Sequence, residues 1–159
     1  MYKIFVDNSD NEMVLKLSKE IQRILLTYDN CIVYEYNNKN ETKEKLLSDI
    51  ELNAYVYIQE NADGKGPEVI LDEENNKANG IGKEVYKEIK KIYNCKDIDK
   101  GLIYMNNLFG NELKNIPAIK INIVDINDQD DIRWLDESMN SVAQAISNGI
   151  IKSFGLKFC

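Results

Sequence analysis

Apolar residues recur along this chain in two rhythms that take turns. Ile4-Phe5-Val6 is a short continuous apolar run, as expected of a strand buried on both faces. After the polar break from Asp7 to Asn11, Val14, Leu17, Ile21 and Ile24 recur at three- and four-residue steps, the stripe of an amphipathic helix. Asp29-Asn30 ends it, and Cys31 to Tyr36 reads as a strand. Glu41 to Leu52 reads as a polar helix with Leu46, Leu47 and Ile50 on one side, followed by a strand at Tyr55 to Ile58. Asp63-Gly64-Lys65-Gly66-Pro67 has turn composition. Beyond it come a strand at Glu68 to Leu71, a helix marked by Ile81, Val85, Ile89 and Ile92, and strands at Leu102 to Tyr104 and Ala118 to Ile123. A last helix carries Val142, Ile146 and Ile150.

Strands and helices alternating from end to end predict one α/β domain over residues 1–159. Its sheet is twisted and mostly parallel, with helices on both faces. Sites in open α/β sheets form at the carboxyl ends of strands. This directs attention to the segments after Val6, after Ile58 and around Ile123.

Composition narrows the chemistry. The 159 residues suit one core, and an apolar fraction of 43% is enough to fill it. A net charge of -7 with no Lys/Arg cluster argues against nucleic acid and anionic membranes as partners. Lys90-Lys91 fits a solvated helix face, and Asn37-Asn38 and Asn75-Asn76 read as loop filler. Cys31, Cys95 and Cys159 form no C-x-x-C pair, so no disulfide framework or zinc knuckle is implied; the terminal Cys159 is expected to be exposed. No apolar leader opens the chain and no run reaches 18 apolar residues. No membrane span is therefore expected, and the protein is expected in the cytoplasm or exported by a route other than a signal peptide. Histidine is absent altogether. That excludes Ser-His and Cys-His catalysis and any histidine-ligated metal.

Several residues have a plain structural reading. Ser9-Asp10-Asn11-Glu12 has the form of a capping box, with Ser9 at the N-cap and Glu12 three residues on. Asp10 gains from the same helix dipole. Gly64-Lys65-Gly66 is a turn and lacks phosphate-loop spacing. Trp134 is expected to pack against the sheet or the last helix, and Tyr55 and Tyr57 to pack across strands. Asn122 stands inside an apolar strand, and a buried Asn needs partners, so a polar pocket is expected around it.

The segments at the strand ends resemble a known family. Ile4-Phe5-Val6-Asp7-Asn8-Ser9-Asp10, then Glu12 at the head of a helix, then Ile58-Gln59-Glu60-Asn61-Ala62, then Pro117-Ala118-Ile119-Lys120-Ile121-Asn122 follow the order of motifs in the zinc-dependent N-acetylmuramoyl-L-alanine amidases (amidase type 3 catalytic domain). Gly64-Lys65-Gly66-Pro67-Glu68-Val69, Asp130-Asp131-Ile132-Arg133-Trp134-Leu135 and Ala145-Ile146-Ser147-Asn148-Gly149-Ile150 are similar to later stretches of that family. The resemblance places the family's zinc ligands at Asp10, Glu12 and Gln59 and its catalytic glutamate at Asn122.

Carried over residue by residue, the resemblance implies a degenerate site. Gln59 offers a neutral carbonyl oxygen where the family has histidine. An all-oxygen trio suits weakly bound calcium or magnesium better than zinc. Asn122 has no proton to exchange near neutrality. Glu60 and Asp125 are expected to be out of phase with Gln59 and Asn122. Helix capping and metal ligation both remain open for Glu12, as do a satisfied strand-end amide and a ligand for Gln59. The expectation is a pseudoenzyme without a cofactor whose groove, including Asn61 and Asn122, binds peptidoglycan fragments or an active cell-wall enzyme. A scaffolding protein unrelated to peptidoglycan and an amidase with a rebuilt metal site are the alternatives.

Overall fold

A computed structural model describes residues 1–35, 42–93 and 101–156. The strands are β1 (Tyr2–Asn8), β2 (Cys31–Tyr34), β3 (Ala54–Asn61), β4 (Glu68–Asp72), β5 (Leu102–Met105) and β6 (Ala118–Asp125). The helices are α1 (Glu12–Leu25), α2 (Lys43–Asp49), α3 (Asn76–Ile92) and α4 (Gln129–Ser153), with a 3-10 turn at Asn111–Leu113. Tyr36, Asn37, Asn38, Glu41, Cys95 and Cys159, each singled out in the sequence, lie outside the described residues.

The six strands form one sheet in the order β2-β1-β3-β6-β4-β5. β2, β1, β3 and β6 run parallel to one another, and β4 and β5 run parallel as a pair. The pairs meet at the antiparallel β4–β6 junction. The sheet is therefore mostly parallel, as expected.

Alternation along the strands divides the core. Ile4 and Val6, Ala54, Val56 and Ile58, Val69 and Leu71, and Ile119, Ile121 and Ile123 enter one large apolar cluster with α1, α3 and α4. Phe5, Tyr55 and Ala118 enter a smaller cluster with Leu47 of α2 and Leu113. Among the described residues, helices thus lie on both faces, three long ones on the first and one short one on the second.

α3 and α4 approach closely at Gly149. A Cβ built there would stand 2.4 Å from Val85 Cα and 2.6 Å from Val85 N, so only glycine fits.

Local details correct the sequence reading. α2 is shorter than Glu41 to Leu52: Thr42 caps it through Lys45 N, and Ile50 already has extended backbone. The N-cap of α1 is Asn11, whose side chain accepts from Met13 N and Val14 N. Ser9 is drawn away from that role, because its N–H donates to Ile58 O at 3.0 Å and its hydroxyl donates to Glu60 at 2.5 Å. Trp134 is buried on α4 itself. It packs edge-on against Tyr93 at 4.8 Å and donates to Ile92 O.

Candidate functional site

Opposite the large core, toward the carboxyl ends of β3 and β6, most side chains are polar. On β3, Tyr55, Tyr57 and Gln59 share this face by alternation; on β6, Lys120 and Asn122; on β4, Glu68 and Ile70. Strand register sets three of them level, since Gln59 pairs with Asn122 and Asn122 with Glu68.

They form a hydrogen-bonded row. Gln59 Nε2 donates to Asn122 Oδ1 at 2.7 Å, and Asn122 Nδ2 donates to Glu68 Oε2 at 2.9 Å. Asn61 Nδ2 donates to the other Glu68 oxygen at 3.1 Å. An ionised carboxylate can only accept, so Asn122 must turn its nitrogen toward Glu68 and its oxygen toward Gln59. Gln59 then donates inward, and its own Oε1 is left as an acceptor with no donor among the described residues. Glu68 and Asn122 are buried, while Gln59 and Asn61 are half-buried at the rim. The polar surroundings expected for Asn122 are these two partners.

A second polar group lies at the end of β1. The Asp7 carboxylate accepts from Tyr55 Oη and from Lys43 Nζ, and also from Asn8 N at 2.9 Å. The Lys43 ammonium sits 5.4 Å from the Tyr55 ring centre and 5.6 Å from that of Tyr57. Burial, then the Asp7 carboxylate, pushes the Tyr55 phenol far above its ordinary range. Burial followed by Asp7, Glu60 and Asp10 raises Tyr57 in the same sense. Tyr55 also packs on Phe5 at 5.4 Å, the cross-strand role expected of it.

Among the described residues, the two remaining site residues make no bond to the row, although the Asp10 carboxylate acts on Tyr57 on the same face. Asp10 is exposed, and Glu12 is exposed with a long contact of 3.8 Å to Lys16. Neither hydrogen-bonds Gln59, Asn61 or Asn122 among the described residues. Nor, among the described residues, do three His, Cys, Asp or Glu side chains group there as a metal cage. The donor set does not fit zinc. It offers no nitrogen ligand, only two solvated carboxylates and a neutral amide oxygen.

Glu60 is held by Ser9, away from the row. Asp125 is displaced by an irregularity in register between Gln59 and Asn61. Its carboxylate takes Gly64 N and Asn127 N, so it braces the 62–66 turn.

Sequence reasoning passed over Glu68, the anchor of the row. Its alternation with Val69 and Leu71 puts it opposite the core, but only the antiparallel pairing with β6 sets it beside Asn122. Asp131 was also missed. It is fully buried on α4 and accepts from Gly66 N at 2.9 Å, Asp125 N at 3.0 Å and Tyr93 Oη, tying the 62–66 turn to β6 and α3. Amides and a buried carboxylate in this arrangement can orient and hydrogen-bond a ligand.

No protein-family model matches the sequence, and no curated protein matches it. Solved structures do match, over nearly the whole chain. The CwlD amidase from Clostridioides difficile, solved in complex with the GerS lipoprotein, superposes with a TM-score of 0.77 at 16% identity, covering 98% of this chain and 99% of that one. The catalytic domain of CwlV, an N-acetylmuramoyl-L-alanine amidase from Bacillus (Paenibacillus) polymyxa var. colistinus, gives 0.78 at 15% identity, with 99% and 100% covered. The catalytic domain of the CD27L endolysin, described as targeting Clostridia Difficile, gives 0.72 at 15% identity, with 96% and 98% covered.

Proposed function

Because the chain has the fold of the N-acetylmuramoyl-L-alanine amidases, we propose that it is a binding protein built on that fold, without amidase catalysis, which takes peptidoglycan fragments or a cell-wall-related partner. One observation carries this reading. At the positions matched to a zinc histidine and the catalytic glutamate, Gln59 and Asn122 are neutral amides bonded to each other and locked onto Glu68. Amide hydrolysis in this family's manner needs a water acidified by metal and a group that moves a proton. Neither a zinc-type donor set nor a titrating side chain stands at those positions. The row retains what a ligand needs, a fixed acceptor at Gln59 Oε1 and the Tyr57 phenol on the same face, whereas Asn61 is spent on Glu68 and on the turn at Ala62 and Asp63.

A protein partner is the second reading. It is favoured by the CwlD structure, in which a protein of this fold is held by a lipoprotein. A rebuilt metal site has less support, because among the described residues Asp10 and Glu12 make no bond to the row.

Sedimentation with insoluble peptidoglycan, with and without zinc, tests the proposal. Saturable pelleting that is equal in both tubes, with no fragments released, is the expected result. Zinc-dependent release of fragments would overturn the non-catalytic reading. Protein that stays in the supernatant would move the search to a protein partner.

A further inference from the structure

A cleft of about 940 Å³ opens at the other end of the strands, where β4 and β5 finish and β6 begins. It is separate from the polar row. Pro117 lines the cleft, whereas Asn122 lies five residues further along β6, about 16 Å away at the usual strand rise. The volume falls in the range of small-molecule sites.

Its chemistry is unusual for loop surface. Asn76, Asn106, Asn107, Asn111 and Asn115 converge on it from three separate segments: the start of α3, the end of β5 and the 3-10 turn. Among the described residues, none of their side chains makes a hydrogen bond. Reading Asn75-Asn76 as loop filler does not account for this convergence.

The walls are fixed to one another. Asn75 accepts from Ala78 N at 3.0 Å to cap α3 and donates to Ile116 O at 3.1 Å, joining the helix start to the opposite wall. Glu73 N donates to Met105 O at 3.1 Å across the β4–β5 end. A further wall carries the Tyr2–Phe154 pair, stacked at 4.3 Å. Lys77 and Lys114 are offset by Glu51, Asp72 and Glu74, so the cleft has no cationic excess to select an anion.

We propose that this cleft is a second ligand site, for a neutral saccharide. A carboxamide donates and accepts in one plane, which matches a pair of adjacent sugar hydroxyls. Five unengaged amides offer several such contacts, and the aromatic pair offers an apolar surface for the ring face. The inference stands independently of the binding role proposed for the polar row.

Titration of the whole chain with maltotetraose and with chitotetraose, followed by side-chain amide NMR, tests it. At least one of the two should bind saturably and shift the amide signals of Asn106, Asn107, Asn111 and Asn115. The double variant Asn111→Ala/Asn115→Ala, both exposed positions, should weaken that binding about tenfold, and Gln144→Ala on the exposed side of α4 should leave it unchanged. The proposal is overturned if neither sugar saturates, if inorganic phosphate alone produces the shifts, or if Gln59→Ala abolishes binding that the double variant leaves intact.

Discussion

Glu68 and Asn122 face each other across the antiparallel β4–β6 junction, and the Asn122 amide donates to the Glu68 carboxylate at 2.9 Å. Glu68 is also the acceptor for Asn61. Glu68→Ala therefore leaves the buried Asn122 amide donor without its acceptor, while Asn61 keeps Asp63 O at 3.3 Å. At about 1–3 kcal/mol for an orphaned buried group, the variant should lose about 2–3 kcal/mol in urea denaturation. Glu68→Gln keeps an acceptor oxygen and should lose less. Equal losses in the two variants would show that the row contributes through shape alone.

Alkaline stability should depend on Tyr55. Burial and Asp7 raise its folded-state pKa above the ordinary 10.0. A raised pKa means that the stabilisation is complete below pH 10 and is lost as pH climbs further, because only the unfolded chain ionises freely. Cys31, raised by burial from 9.0, acts in the same direction from a lower pH. Tyr55→Phe should start less stable, having lost its bond to Asp7, but should show a shallower decline toward about pH 11. An unchanged slope in a chemical-denaturation series would refute the assignment.

Metal should have no effect on stability. A divalent ion held at a hundred times its dissociation constant stabilises a fold by about 2.7 kcal/mol, which is several degrees in Tm for a domain of this size. Zinc, calcium, magnesium and chelator should each leave the melting midpoint where it was. A zinc-dependent rise that disappears in Glu12→Ala would restore the metal reading of Asp10, Glu12 and Gln59.

Two glycines should respond in opposite directions. Gly149→Ala drives a Cβ into the Val85 backbone, which cannot swing aside as a side chain could. The loss should be about 1–3 kcal/mol. Gly80 sits exposed in α3 with nothing within 4 Å of its built Cβ, so Gly80→Ala should gain about 0.5–1 kcal/mol through helix propensity. Thermal melts of the two variants side by side check both signs.

The contrast between Gly149 and Glu68 shows what can be read in one dimension. Periodicity and apolar runs located α1, α3, residues 142–150 of α4 and all six strands, although only β1, β3, β4 and β6 among those strands bury side chains fully. Gly149 fell within a stretch similar to the amidase family, yet its cause, the approach of Val85 from α3, is a tertiary contact. Glu68 was harder still. Its partner lies 54 positions away on a strand running in the opposite direction, and nothing local to Pro67-Glu68-Val69 signals that pairing. The capping box failed for a related reason. Ser9 and Asn11 are both good caps, and the choice fell to Asn11 because β3 engages Ser9 through Ile58 and Glu60. Asn122 was legible because a polar residue in an apolar strand implies a partner, though not which partner.

β6, the last of the described strands in chain order, occupies an interior position between β3 and β4. Until residues 118–125 have emerged from the ribosome, β2-β1-β3 and β4-β5 are two separate ribbons with no strand to join them. Each exposes an unpaired edge. The long-range pairings that unite the sheet thus close late, which should make folding slow for a chain of this length. The nascent protein passes through a stage in which its central seam is an open template for another chain.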